Sequence, residues 1–167
     1  MEPTVEPGVD QEPAPGELIL VQLGGCRYGL PMEAVAEVGR PPALTRVPGT
    51  PDWVAGLANW RGRVLAVVDL RGLLNAAVQP LDRRGRLVVL HHEGRAAGLI
   101  AEVVDGTAAL GTDAVEPVLA HLADAGAALL AGQYTDAEGP VGVLDLAAVF
   151  ALADALPRPR RSAAAAS

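Results

Sequence analysis

The chain has 167 residues, half of them hydrophobic, with 3% aromatics and a formal net charge of −7. That length allows one domain or two small subdomains, and a core made mostly of Ala, Val and Leu suits short twisted strands and small barrels better than a deep aromatic pocket. The acidic balance argues against nucleic acid, whose phosphates need a basic face, although the charge is uneven: residues 1–16 hold four acids and no base, residues 17–156 carry −6, and the tail from Pro157 holds three arginines.

Residues 1–16 are acidic and rich in proline, with little to bury, and are expected to form a disordered leader. They lack the basic start and apolar run of a signal peptide. Residues 17–23 read as a strand stopped by Gly24-Gly25, residues 26–30 as its hairpin partner, and residues 32–34 as a single turn. Residues 35–38 look extended, whereas residues 39–51 hold four prolines and are expected to be a loop. Asp52 is placed to cap a single helical turn through Trp53 and Val54.

The stretch from Gly56 to Arg71 is an apolar run, the turn Asn59-Trp60-Arg61-Gly62, and a second apolar run into Asp69-Leu70-Arg71. It reads as strand, tight turn and buried strand, with Asn59 and Gly62 as the residues that tolerate left-handed backbone. Taken alone it is an ordinary hairpin with a solvated arginine. A tryptophan and an arginine at the centre of the turn are nevertheless poor connectors and a good recognition surface.

A short helical segment is expected over residues 69–74, with Asp69 as its cap. Strands follow over residues 86–92 and 95–104, the second with a bulge near Gly98. The pattern over residues 113–124 points to a helix, residues 127–135 and 141–144 to the last strands, and residues 145–156 to an amphipathic helix capped by Asp145. Residues 157–167 are low-complexity and expected to be disordered. Short strands at spacings near ten residues, without long crossover helices, indicate an all-β barrel or sandwich with short helices.

Several chemistries lack their residues. Serine occurs only at Ser162 and Ser167, which removes a Ser-His-Asp arrangement from the body. Without lysine there is no P-loop lysine and no Schiff base. His91 and His92 are adjacent in a strand and point to opposite faces, so a shared metal is not expected. The lone Cys26 fits a reducing compartment. Asp69 and Glu102 are the carboxylates left for a small β-barrel enzyme or ligand-binding domain.

Four blocks, in order, give the chain a resemblance. They are residues 18–38 with Tyr28-Gly29-Leu30 and Val35-Ala36-Glu37-Val38; Thr45-Arg46-Val47-Pro48, Pro51, Gly56 and Asn59-Trp60-Arg61-Gly62 with Val67-Val68-Asp69-Leu70-Arg71; residues 86–90 with Gly98-Leu99-Ile100-Ala101-Glu102-Val103; and residues 142–152. The chain resembles the CheW-like adaptor (coupling) proteins of bacterial chemotaxis, which typically carry Asn-Leu-Arg-Gly in the second block. Trp60, Arg63 and Glu102 depart from the family's usual residues.

The resemblance implies two packed five-stranded SH3-like barrels over residues 17–156, no catalytic activity and no cofactor. It implies a cytoplasmic protein at membrane-associated receptor arrays, bridging the cytoplasmic tip of a chemoreceptor (a methyl-accepting protein) and the regulatory domain of a chemotaxis histidine kinase. It assigns Val35, Glu37, Val38, Gly56, Asn59, Arg61 and Gly62 to a receptor groove between the barrels, with Arg61 and Glu37 as a charge pair, and Leu99 and Glu102 to the kinase contact. An adaptor of the same fold serving surface motility or a non-motility pathway is the nearest alternative.

Overall fold

The computed structural model describes residues 16–74, 76, 78–110, 115–117 and 126–154. The leader other than Gly16, the tail from residue 157, and most of the helix expected over residues 113–124 lie outside the described residues. The strands are β1 (Gly16–Leu23), β2 (Cys26–Pro31), β3 (Val35–Gly39), β4 (Val54–Trp60), β5 (Arg63–Val68), β6 (Arg86–His92), β7 (Arg95–Ala101), β8 (Val103–Leu110), β9 (Leu130–Asp136) and β10 (Gly139–Leu144), followed by helix α1 (Leu146–Asp154).

They form two five-stranded sheets, ordered β8-β1-β2-β10-β9 and β3-β6-β7-β5-β4. The pairings are antiparallel except β2 with β10 and β5 with β7. The second sheet is continuous in sequence and is inserted between β2 and β8 of the first. The all-β character is the one the strand spacing indicated, and the two five-stranded subdomains are what the resemblance implied.

Period-two patterning explains how the sheets pack. In β6, Val88 and Leu90 join a core shared by both sheets, while Leu87 and Val89 face a smaller core inside the second sheet. Burial on both faces is why its sequence is a continuous apolar run. The shared core also takes Val21, Leu23, Tyr28 and Leu30 from the first sheet, and Phe150 from α1.

Asp145 caps α1 by accepting the Ala147 N–H at 3.0 Å. The helix follows the last strand of the first sheet but is tied to the second. The Arg95 guanidinium pairs with Asp154 and lies 5.4 Å from the Phe150 ring centroid.

Four local expectations are corrected. Glu116 is extended, exchanging both backbone hydrogen bonds with Gln133 at 2.7 and 2.9 Å, so no helix passes through it. Residues 69–74 form a hydrogen-bonded turn, with Leu74 N–H donating to Leu70 O at 3.0 Å, and not a helix. Residues 51–54 likewise form a reverse turn. The β6–β7 register runs unbroken past Gly98; the irregularity falls at Glu102, where the chain leaves the second sheet for the first.

Burial pushes the Tyr28 hydroxyl up to about 12, with Cys26 adding to the shift. A folded-state value above the unfolded one means that stability is complete below the ordinary tyrosine value of 10 and falls as pH rises towards 12. With no lysine in the chain, this alkaline limb belongs mainly to the tyrosines. Denaturant titrations between pH 9 and 12 are expected to show a loss on the order of 1–2 kcal/mol that Tyr28→Phe removes.

Candidate functional site

The β4–β5 hairpin closes through two residues, with Trp60 paired to Arg63 across the turn. Arg61 and Gly62 have φ of 50° and 77°, the pair of positive angles that matches the right-handed twist of a two-residue hairpin. The left-handed position expected of Asn59 is therefore taken by Arg61, while Asn59 sits in the ladder opposite Val64. A non-glycine residue in this conformation is uncommon, and here it fixes the direction in which the guanidinium leaves the turn.

That direction leads to Glu37. In β3, Val35 pairs with Leu90 and Glu37 with Val89, so two residues oppose one and Ala36 is bulged. The bulge puts Val35 on the shared-core side and turns Glu37 to the opposite face, beneath the hairpin. Arg61 Nε donates to Glu37 Oε1 and Oε2 at 3.0 and 2.9 Å, and its Nη2 makes a further bond to Oε1. Trp60 Nε1 donates to Oε2 at 2.8 Å. These charge-assisted bonds, from Arg61 first and then Trp60, hold the carboxyl below its usual range. The anchor is thus intact above that range and is lost only as pH falls through the lowered value.

Trp60 is one of the three residues that depart from the family's usual pattern. Its ring lies over Gly39, where an added Cβ would come within 2.5 Å of the indole, and it packs against the inner core of the second sheet.

The remaining predicted groove residues are not all on one face. Val35 packs against the shared core, and Val38 is 38% exposed. Gly56 is buried, with φ of 142° and the Thr45 carbonyl in the place of a side chain. Asn59, Arg61 and Gly62 are exposed at the hairpin end.

The two residues assigned to a kinase contact are also placed differently from that expectation. Leu99 is fully buried in the shared core and offers no surface to a partner. Glu102 accepts the Gly25 N–H at 3.0 Å and Arg71 Nη1 at 3.2 Å, so its carboxylate is used internally.

Sequence reasoning missed Arg71, which is 4% exposed and the sole buried charged residue among those described. It donates to both oxygens of Asp69 at 3.0 and 2.8 Å and to Gln79 O at 2.7 Å, besides Glu102. Asp69 does accept a backbone N–H, that of Arg71 at 3.2 Å, but its main partner is the guanidinium. The available signal was Asp-x-Arg at the end of a strand buried on both faces, where a charge has to be paired.

The family model described as CheW-like domain matches residues 17–154. The chain belongs to the CheW-like domain family. Among the relatives of this CheW-like protein, Protein PilI of Pseudomonas aeruginosa is 41% identical over 51% of the chain and 48% of its own length. Protein FrzA of Myxococcus xanthus is 37% identical over 54% of the chain and 56% of its own length. The chain therefore spans about half the length of these two relatives. Chemotaxis protein CheW of Klebsiella aerogenes is 27% identical over 75% of the chain and 73% of its own length.

The fold is similar to the crystal structure of scaffolding protein TtCheW from Thermoanaerobacter tengcongensis. The TM-score is 0.72 at 24% identity, covering 80% of the chain and 86% of the solved one.

Proposed function

We propose that this CheW-like protein is a non-enzymatic adaptor that couples a chemoreceptor to the regulatory domain of a cytoplasmic histidine kinase. Its output is geometric: two faces hold two partners in a register where the receptor's conformation biases the kinase. The observation that carries the reading is the hairpin end. An arginine 74% exposed is held in one orientation by a carboxylate that is also hydrogen-bonded by an indole, which is costly to arrange for a plain connector and useful for recognition.

The receptor's helical tip docks across Arg61, Asn59 and the exposed edge at Val38. The kinase contact lies on the second sheet at surface residues other than Leu99. No described helix is long and apolar enough to cross a membrane, and the protein works from the cytoplasm at receptor arrays.

Co-purification with a chemoreceptor signalling domain and its kinase, with kinase activity as readout, tests this. Arg61→Ala is expected to lose most receptor binding while keeping its unfolding midpoint, because the guanidinium is largely exposed and exposed ion pairs contribute little to stability. An Arg61→Ala protein that binds receptor as well as wild type would sink the assignment.

A second reading is an adaptor of the same fold for another chemosensory-type pathway, surface motility or non-motility; local identity is higher to PilI and FrzA, whose names do not include chemotaxis, than to the Klebsiella chemotaxis protein. Which receptor co-purifies decides between them.

A further inference from the structure

Beneath Trp60, the second sheet ends in an open cavity of about 230 Å³ lined by Ala36, Leu65, Val89 and Ala96. The floor is apolar, and the rim holds the charged Glu37, Arg61 and Arg63 and the imidazole of His91. Glu37 has both oxygens occupied by Arg61 and Trp60, and Arg61 in turn commits Nε and Nη2 to it. The Arg63 side chain is exposed and has no hydrogen-bond or ion-pair partner among the described residues, and the same holds for the His91 side chain. Arg63 pairs directly with Trp60 across the hairpin, and directly opposed residues share a face. A free guanidinium therefore stands beside the indole that roofs the cavity. In a chain of net charge −7, this mouth is a local basic rim around an apolar hole.

We propose that a receptor helix seats one apolar side chain in this mouth and sets a carboxylate, one helical turn away, against Arg63. Arg63 then selects the partner, while Arg61 shapes the site. The inference rests on the adaptor reading above and names the chemistry of its receptor face: an acidic amphipathic helix. The size of the cavity fits one large apolar side chain, not a whole helix face. Residues three or four apart on a helix lie about 5–6 Å from each other, the spacing needed to span from the hole to its rim. Helix-in-groove recognition reads side chains at i, i+3 and i+4 of the bound helix, and here the apolar anchor and the carboxylate take two of those positions.

The test is titration calorimetry of the receptor signalling domain against wild type, Arg63→Glu and Ala36→Leu. Both variants change an exposed side chain that lines the cavity, and each is checked for an unchanged unfolding midpoint. Each is expected to weaken binding by about tenfold or more, a change of ~1.4 kcal/mol. Reversing the charge of one receptor carboxylate is expected to restore binding to Arg63→Glu and not to Ala36→Leu.

If Arg61→Ala loses binding while both variants bind as wild type, the inference fails and the adaptor reading stands. If wild type binds no receptor signalling domain, the adaptor reading fails and takes the inference with it. Self-association abolished by Arg63→Glu, with receptor affinity unchanged, would overturn the inference in favour of a second copy.

Discussion

Arg71→Met is expected to destabilise the protein by about 3–5 kcal/mol, the usual cost of removing one partner from a buried charge cluster. The guanidinium is the shared cation of Asp69 and Glu102 and also satisfies Gln79 O. Methionine fills much of the volume but leaves two carboxylates and a carbonyl facing each other without the guanidinium; only the backbone N–H groups of Arg71 and Gly25 remain as donors to the carboxylates. The position magnifies the effect. Glu102 sits where the chain passes between sheets and also holds the Gly25 N–H at the β1–β2 turn, so the cluster links a turn of the first sheet to the strand end of the second. Denaturant midpoints measure the loss. Arg84→Met is the control, since its pair with Asp82 is exposed on both sides, and no change is expected there. An Arg71→Met midpoint equal to that of the control would show that the cluster is solvated in solution.

Gly56→Ala is the second large effect, about 2–4 kcal/mol. Strain and overlap act together: the backbone is at φ 142°, a region L-residues rarely enter, and the new Cβ would lie 2.6 Å from the Thr45 carbonyl oxygen. Neither side can retreat, because Thr45 and Leu57 exchange two backbone hydrogen bonds of 2.8 Å immediately beside it. Hydrogen exchange at the Thr45 and Leu57 amides is expected to accelerate along with the fall in midpoint. Full protection at both amides would mean that the loop accommodates the methyl group, and the argument would be wrong. Gly56 was assigned to the receptor groove from the resemblance; its geometry makes it a support for the loop that crosses β4.

Strands whose apolar residues alternate or run unbroken were legible because burial imposes a period that local sequence must obey. β1, β2 and β6 were all found this way, and Asp145 announced its helix by capping chemistry. The Arg61–Glu37 pair came from the resemblance, since two residues so far apart in sequence share no local signal. What stayed hidden depends on a partner strand. The Ala36 bulge exists only relative to β6, yet it decides that Val35 and Glu37 face opposite ways. Leu99 and Glu102, close in sequence and assigned together, separate because Leu99 is inside β7 while Glu102 is at the bend after it. Arg71 lay inside the second of the four blocks, but an arginine's burial cannot be read until its two acids are brought to it, and Glu102 comes from the bend after β7.

The insertion of one sheet within the other has a consequence for synthesis. As the chain leaves the ribosome, β3 to β7 complete the second sheet among themselves, in one continuous segment. The β1–β2 hairpin, made earlier, has neither neighbour yet: β8 and β10, which flank it in the finished sheet, are encoded after the whole insert. For that interval two strand edges and the apolar residues of β1 and β2 are uncovered, the condition that invites mispairing and recruits chaperones. The hairpin made before the insert is thus finished after it, and the second sheet, with its Trp60 hairpin, is assembled before the first sheet has a core to share with it.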